Sequence, residues 1–212
     1  MKNYNAPVNQ TMRRILLIAC ATAVALAFTV SLAQPAHAED VTPPPVPANI
    51  QVPAGNKLFF VGHGVGTQNY VCLPAGTGVK FILFTPQATL FNDGKQVTTH
   101  YFSPNPVEGG TIRATWQHSR DTSTVWGEVK PGNSSSDSAF VAPGAIAWLL
   151  VTVVGAQDGP SGGDTLTATT FIQRLNTSRG VAPSAGCRSK ADVGNQAFVP
   201  YTADYFFYTK AS

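Results

Sequence analysis

Two stretches near the end of the chain decide the fold, Thr170-Phe171-Ile172-Gln173-Arg174-Leu175-Asn176-Thr177 and Val199-Pro200-Tyr201-Thr202-Ala203-Asp204-Tyr205-Phe206-Phe207-Tyr208. Both are rich in β-branched and aromatic residues, which favour strands. In a strand, Tyr205 and Phe207 face one side of the sheet, whereas Phe206 and Tyr208 face the other. Large aromatic side chains on both faces need packed neighbours on both sides. The second stretch therefore predicts a central strand in a layered sheet protein.

The rest of the chain from Leu58 onward alternates short apolar runs with turn signals and shows no sustained helical periodicity. Asn92-Asp93-Gly94-Lys95 predicts a hairpin turn, because Asp-Gly suits turns that need positive φ. Gly62-x-Gly64-x-Gly66 is expected to be a loop, since its third glycine is misplaced for a dinucleotide-binding motif. About ten strands are predicted, and the fold class is all-β, an antiparallel β-sandwich with a β-barrel as the alternative.

The N-terminal segment has the features of an export signal. Basic residues precede an apolar run from Ile15 to Ala33, and Ala36-His37-Ala38 supplies an A-x-A cleavage site. Residues 1–38 are therefore predicted to be a signal peptide, in preference to a membrane anchor, a lipoprotein signal at Cys20 or a twin-arginine signal. No stable membrane span is expected after cleavage. Residues 39–57 form a Pro-rich extended arm, and residues 58–212 form a single β domain.

Cleavage would also remove the excess positive charge. The chain has 14 Lys and Arg against 11 Asp and Glu, and three of the basic residues lie before position 39. The remaining 174 residues (212 minus 38) carry 11 charges of each sign and no net charge. Nucleic-acid binding requires a clustered positive surface, so no nucleic-acid partner is expected.

Cysteine usage predicts one disulfide. Cys20 leaves with the signal peptide, and Cys72 and Cys187 remain as the one available pair. In an oxidising compartment such a pair forms a disulfide. The alternatives are two buried free thiols or a metal site, which would require further ligands.

Several residues are candidates for chemistry. Arg174 lies with Gln173 in an otherwise apolar strand, and a charged side chain there needs partners. Structural pairing of Arg174, with backbone groups or with Asp204, is favoured over anion or substrate binding. Trp116 and Trp126 could form a sugar-stacking platform, with aromatic packing as the default.

Catalytic and metal motifs find little support in the sequence. Gly159-Pro160-Ser161-Gly162-Gly163 matches the G-x-S-x-G pattern but lacks a following helix, and it is expected to be a loop. His63, His100 and His118 lack the local spacing of metal ligands, so no metal site and no cofactor are predicted.

A set of motifs spread over Leu58 to Tyr208 resembles a family of exported bacterial and fungal proteins catalogued as a domain of unknown function. The motifs are Gly66-Thr67-Gln68-Asn69-Tyr70-Val71-Cys72, Ala88-Thr89-Leu90-Phe91, His100-Tyr101-Phe102, Trp116 with Val125-Trp126-Gly127, Ala147-Trp148-Leu149-Leu150, Gly186-Cys187, and the two stretches quoted first. The resemblance implies a fold and an extracytoplasmic location but no reaction. Some fungal members carry a malate dehydrogenase label, which this sequence does not support because it lacks a nucleotide-binding loop. Four residues that lie within the motifs are candidate ligand-binding residues, namely His100, Trp116, Gln173 and Arg174.

The sequence therefore predicts an exported domain, periplasmic or extracellular, with a structural or ligand-binding role at the cell envelope. Its partner would be a small molecule, a glycan or an envelope component. The alternative is an extracytoplasmic hydrolase or metal-dependent enzyme that uses His100 and Arg174. An enzymatic role is the less favoured of the two.

Overall fold

The computed structural model describes residues 41–211. The predicted signal peptide, residues 1–38, lies outside the described residues. Eight strands make up most of the described chain: β1 (Asn56–Ala75), β2 (Gly78–Asn92), β3 (Lys95–Asn105), β4 (Thr111–His118), β5 (Thr124–Ser135), β6 (Trp148–Gln157), β7 (Thr169–Arg179) and β8 (Gln196–Lys210). The helices in this range are single 3₁₀ turns at Ala48–Ile50, Pro106–Glu108 and Lys190–Asp192. None of them is long and apolar enough to cross a membrane.

The strands pair in sequence order, and β1 pairs with β8 to close an antiparallel barrel. The all-β prediction is confirmed, and the barrel, which the sequence left as the alternative to a sandwich, is the observed form. The Asp-Gly hairpin is also confirmed. Asn92 pairs with Lys95, and Asp93 and Gly94 between them have φ values of 49° and 69°. Eight long strands replace the ten short ones expected.

The Gly62-x-Gly64-x-Gly66 segment is not the predicted loop but the middle of β1. Its glycines face the barrel interior, where the neighbouring strands and side chains come close to the backbone of β1. A Cβ atom on Gly64 would lie 2.8 Å from Cε2 of Tyr205, and one on Gly66 would collide with the backbone of β2. The glycines therefore let β1 pass close to the aromatic side chains of β8. The sequence predicted a loop here because residue propensities for strands and turns do not take account of close packing between strands.

The lower half of the barrel, at the end where Phe207 lies, is a packed apolar core. Inward-facing side chains from opposite walls fill it, and Phe60 contacts Phe207 edge to face with ring centroids 5.0 Å apart. Leu90, Leu166 and Ile172 are fully buried in the same cluster. Each fully buried side chain of this size contributes about 1.5–3 kcal/mol to the free energy of folding. This packed half of the barrel buries part of the inward face of the aromatic strand β8, including Phe207.

The other face of β8 is covered by the N-terminal arm. Phe206 and Tyr208 point out of the barrel and pack in a second buried cluster with Ile50 of the arm. Val141, from the loop between β5 and β6, joins the same cluster. The aromatic strand thus has packed neighbours on both sides, as predicted, but an arm and a loop take the place of a second sheet.

Gln173 fastens the arm to the barrel. Its side chain is buried on the outer face of β7, where Nε2 donates to the carbonyl of Ile50 at 2.7 Å. Its Oε1 accepts from the hydroxyl of Tyr208 at 2.6 Å. Both polar groups of the amide are therefore satisfied where water is excluded.

The predicted disulfide is confirmed. Cys72 on β1 bonds to Cys187 in the loop between β7 and β8, with Cα atoms 5.5 Å apart. Backbone hydrogen bonds reinforce the link, since the amide of Cys72 donates to Asn195 O and the amide of Gly194 donates to Cys72 O. The long β7–β8 loop is thus held against β1.

Loss of the disulfide should destabilise the protein strongly. The bond joins residues 115 positions apart, and in the chain-entropy model a loop of this length is worth about 4–5 kcal/mol. The double variant Cys72→Ala/Cys187→Ala should show that loss in urea denaturation. Adding a reductant should lower the stability of the wild type towards that of the variant and leave the variant unchanged. Equal stability of wild type and variant would contradict the assignment.

Gln173→Met should release the arm without disturbing the barrel interior. The substitution leaves the Ile50 carbonyl and the Tyr208 hydroxyl unpaired, which should cost about 2–4 kcal/mol. Urea denaturation measures the loss, and proteinase K should cleave the arm faster than in the wild type. The matched control, Tyr208→Phe, removes one of the two hydrogen bonds and should cost about half as much. An arm equally protected in Gln173→Met would show that apolar packing alone holds it.

Candidate functional site

The upper half of the barrel holds a cavity of about 600 Å³ above the packed core. Buried side chains form its floor, and exposed apolar side chains mark its mouth. The floor includes His100, Trp116 and Tyr205, and the mouth includes Leu83, Ile112, Val129 and Val181. Val181 belongs to the β7–β8 loop that the disulfide fixes, so the covalent bond helps to set the shape of the mouth.

Short hydrogen-bond ladders explain why the barrel is wide here. β2 and β3 pair from Asn92–Lys95 only as far as Ala88–His100. Beyond that point the amide of Phe102 donates to the hydroxyl of Thr85 at 3.0 Å, so a side chain replaces the carbonyl of a regular ladder. On the opposite wall β6 and β7 pair only over Leu149–Thr152. Strands that separate in this way leave the upper interior less filled than the lower one.

Stacked aromatic rings form the centre of the floor. The imidazole of His100 lies on the indole of Trp116 with ring centroids 4.2 Å apart and an interplanar angle of 11°. Tyr205 flanks both rings, at 5.3 Å from His100 and 6.0 Å from Trp116. Neighbouring strands place them together, since His100 on β3 is paired directly with Trp116 on β4. The result is a rigid, nearly apolar platform.

His100 is held in its neutral form. Burial lowers its pKa from 6.5 to about 3, against the hydrogen bond to Thr115, and the positive charge of Arg174 acts in the same direction as burial. Nδ1 lies 2.9 Å from the carbonyl oxygen of Thr115, so it carries the proton and donates it there. Nε2 of the same ring is then an unprotonated acceptor. No carboxylate or nucleophilic side chain in residues 41–211 is hydrogen-bonded to this histidine.

Arg174 enters the cavity from β7. Its Nε and Nη2 atoms donate to the carbonyl of Ala147 at 3.3 and 2.8 Å. The backbone pairing predicted for this residue is therefore observed, whereas pairing with Asp204 is wrong. Asp204 pairs with Leu175 in the ladder and points out of the barrel, where it contacts His63 at 2.6 Å and Asn176 at 2.8 Å. Side chains of adjacent ladder positions alternate between inside and outside, which separates the two.

Two buried donors beside the cavity lack a well-formed hydrogen bond to any described residue. Nε1 of Trp116 has no partner among residues 41–211, and Nε2 of Gln68 has only a weak interaction with the hydroxyl of Tyr201. Both side chains are 1% exposed and both line the cavity. Buried N–H groups are nearly always paired in native proteins, and an unmet one costs about 1–3 kcal/mol. A cavity occupant with acceptor atoms would satisfy them.

The rim of the cavity carries a compact ion cluster. Arg113 on β4 binds Glu108 at 2.7 Å and Glu128 on β5 at 3.0 Å. Hydrogen bonds from Arg113 and Asn105 lower the pKa of the Glu108 carboxyl. The three charged side chains pair with one another, and the two carboxylates exceed the single arginine by one negative charge.

Three of the four candidate ligand-binding residues predicted from the sequence lie together in the cavity. His100, Trp116 and Arg174 line the cavity, whereas Gln173 lies on the outer face and holds the arm. Trp116 and Trp126 do not form a platform, because Thr115 rather than Trp116 pairs with Trp126 and the two indoles face opposite sides. His118 lies outside the cavity and contacts Asp121 at 2.9 Å.

Sequence reasoning missed the contributions of Gln68, Tyr70 and Tyr205 to the cavity wall. Gln68 and Tyr70 lie two and four residues after Gly66, and the two-residue period of β1 that runs on from the glycines was the one available signal. The hydroxyl of Tyr70 donates to the carbonyl of Gly180 at 2.6 Å and thus closes one corner of the mouth. No group of three or more His, Cys, Asp or Glu side chains within residues 41–211 is placed to bind a metal ion.

The buried His100 should make stability depend on pH. Between pH 6.5 and about 3 the unfolded chain protonates this histidine and the folded chain does not. Above pH 6.5 both states are neutral, and this histidine does not change the free energy of unfolding with pH. As the pH is lowered from 6.5 towards 3, proton uptake by the unfolded chain lowers the free energy of unfolding by up to about 1.4 kcal/mol per pH unit. His100→Asn should flatten the decline in urea denaturation over this range. The control Trp116→Phe should lower stability but keep the wild-type slope, and an unchanged slope in His100→Asn would contradict the assigned neutral state.

Comparison with known proteins identifies the family of the chain. No curated protein and no solved structure matches the chain. Residues 53–209, which span all eight strands except the last residue of β8, match a family described as a protein of unknown function (DUF3455). The match covers the barrel, the cavity and the disulfide, and it confirms the resemblance found in the sequence motifs. The chain belongs to this family of proteins of unknown function.

Proposed function

We propose that this protein is an exported binding protein that holds a small, largely apolar molecule in the upper half of its barrel. The observation that carries the proposal is a cavity of about 600 Å³ bordered by two buried donors that residues 41–211 leave without a well-formed hydrogen bond. Ligand sites in proteins are typically concavities of 300–1,000 Å³ with mostly apolar walls and a few polar groups. The volume, the aliphatic walls and the donors of Gln68 and Trp116 all fit that description.

Export is supported by the predicted signal peptide together with the disulfide. A bond between Cys72 and Cys187 is stable in an oxidising compartment and uncommon in the cytosol. A periplasmic or extracellular location follows from the same argument. In that setting a closed barrel stabilised by a disulfide would protect a bound apolar molecule from water.

Binding is favoured over catalysis by the surroundings of His100. A general base must be able to reach a reacting group, and it works best with a pKa near the operating pH. The neutral imidazole of His100 is stacked on Trp116 and committed to Thr115 through Nδ1, with no acid or nucleophile beside it. A glycan is a weaker candidate than an apolar molecule, because the indoles of Trp116 and Trp126 do not share a face.

The neutral fluorescent probe N-phenyl-1-naphthylamine tests the proposal. We expect its emission to rise on binding and to saturate at one equivalent of protein. Ala114→Phe should abolish the rise, because the added ring projects into the cavity. Thr111→Phe, which places the same ring on an exposed position of the same strand, should bind as the wild type does. Equal emission from the wild type and Ala114→Phe would show that the probe does not enter the barrel and would count against the proposal.

A further inference from the structure

Arg174 is a cation inside the barrel, and no carboxylate of residues 41–211 forms an ion pair with it. Its charge acts on His100, Tyr70, Tyr201 and Tyr205. Burial raises the pKa of each of these tyrosines, and burial keeps the imidazole neutral, so none of the four carries a negative charge at neutral pH. Among residues 41–211 the ion pairs are formed by other side chains.

Hydrogen bonding to the carbonyl of Ala147 does not by itself require a positive charge at position 174. A neutral amide side chain could donate to the same carbonyl, as Gln173 does to Ile50 on the outer face. Placing a cation in the interior of a protein is costly unless it is paired. Arg174 is only partly exposed, and its surroundings are the neutral, aromatic floor of the cavity. The charge therefore needs an explanation beyond the hydrogen bonds observed.

The guanidinium retains the edge that recognises carboxylates. Nε and one N–H of Nη2 are directed at the carbonyl of Ala147. The edge formed by Nη1 and the second N–H of Nη2 is not used by that interaction. Arg174 is also hydrogen-bonded to the hydroxyl of Tyr205, a neutral group that leaves its charge unbalanced. Two parallel N–H groups in this arrangement match the two oxygens of a carboxylate. The bonds to Ala147 hold the group in place in advance, which reduces the entropy lost on binding.

The charges at the rim set an upper limit on the charge of an occupant. Glu108 and Glu128 share the single arginine Arg113, so this cluster has an excess of one negative charge. A molecule with two or more negative charges would meet one unpaired cation and a repelling rim. A single negative charge can be neutralised by Arg174 alone.

We propose that the ligand is an apolar monocarboxylate, whose carboxylate pairs with Arg174 while its body lies against the aliphatic walls formed by Leu149 and Val151. This inference rests on the proposed binding function and names the class of molecule bound. The volume of the cavity leaves room for a body the size of a fused pair of aromatic rings. The carboxylate provides the negative charge that the interior of the barrel lacks.

Displacement of N-phenyl-1-naphthylamine by three ligands of nearly the same shape tests the class. The ligands are 2-naphthoate, its neutral counterpart 2-naphthamide and the more highly charged 2-naphthyl phosphate. We expect 2-naphthoate to displace the probe at a concentration at least about tenfold lower than 2-naphthamide, as a charge-assisted pair would give. The phosphate should be weaker than the carboxylate.

Variants of Arg174 connect the preference to this residue. Arg174→Met should remove the advantage of 2-naphthoate over 2-naphthamide while the neutral probe still binds. Arg120→Met, which removes an exposed arginine from the turn between β4 and β5, should keep the full preference. Arg174→Lys retains the charge without the paired N–H groups, and it should keep the preference in part. This variant decides the question if Arg174→Met does not fold.

Each outcome separates this inference from the binding function. Equal displacement by 2-naphthoate and 2-naphthamide in the wild type would overturn the carboxylate class and leave the binding function standing. Tighter binding of the phosphate would also overturn it, in favour of a dianion. If the neutral probe did not bind to the wild type at all, the binding function itself would fail.

Discussion

The pairing of β1 with β8 is the interaction on which the rest of the structure depends. It joins the first and last strands over Asn56–Val71 and Gln196–Lys210, so it closes the sheet and removes both of its edges. The pairing is possible because β1 has glycines where β8 has the large inward side chains Tyr201 and Tyr205. Any side chain at Gly64 would push the two strands apart or displace the ring of Tyr205. The glycines of one strand and the aromatic residues of the other are therefore one structural unit.

Closure leaves an interior that is filled at one end and open at the other. The lower half is occupied by Phe60, Phe207 and aliphatic residues. In the upper half the apolar walls are interrupted by inward positions with polar or small side chains, among them Gln68, Ala114 and Arg174. Such positions contribute little to stability, and Arg174 and Gln68 oppose it. These side chains reduce the packing of the upper half, and the space that remains is suited to binding.

The outer surface explains why the sequence favoured a sandwich. Phe206 and Tyr208 point away from the barrel, and a barrel strand in water would normally carry polar residues there. The Pro-rich arm and the β5–β6 loop cover these aromatic side chains, with Gln173 as the hydrogen-bonded fastening. A strand that is apolar on both faces shows that both faces are covered. It does not show whether the cover is a second sheet or an extended segment, because either removes the same apolar surface from water.

The sequence by itself determined the all-β class, the disulfide, the Asp-Gly hairpin and three residues of the cavity. These features depend on local propensity, on alternation within one strand, or on there being one available pair of cysteines outside the predicted signal peptide. Only the tertiary structure decided that the sheet closes, that Gly62, Gly64 and Gly66 lie inside it, and that Gln173 and Arg174 face opposite ways. Adjacent residues on a strand always do so, but which of the two faces inward depends on the register with β6 and β8. Register is set by contacts between residues distant in the chain, and these contacts leave Arg174 in the cavity without an ion-pair partner among the described residues.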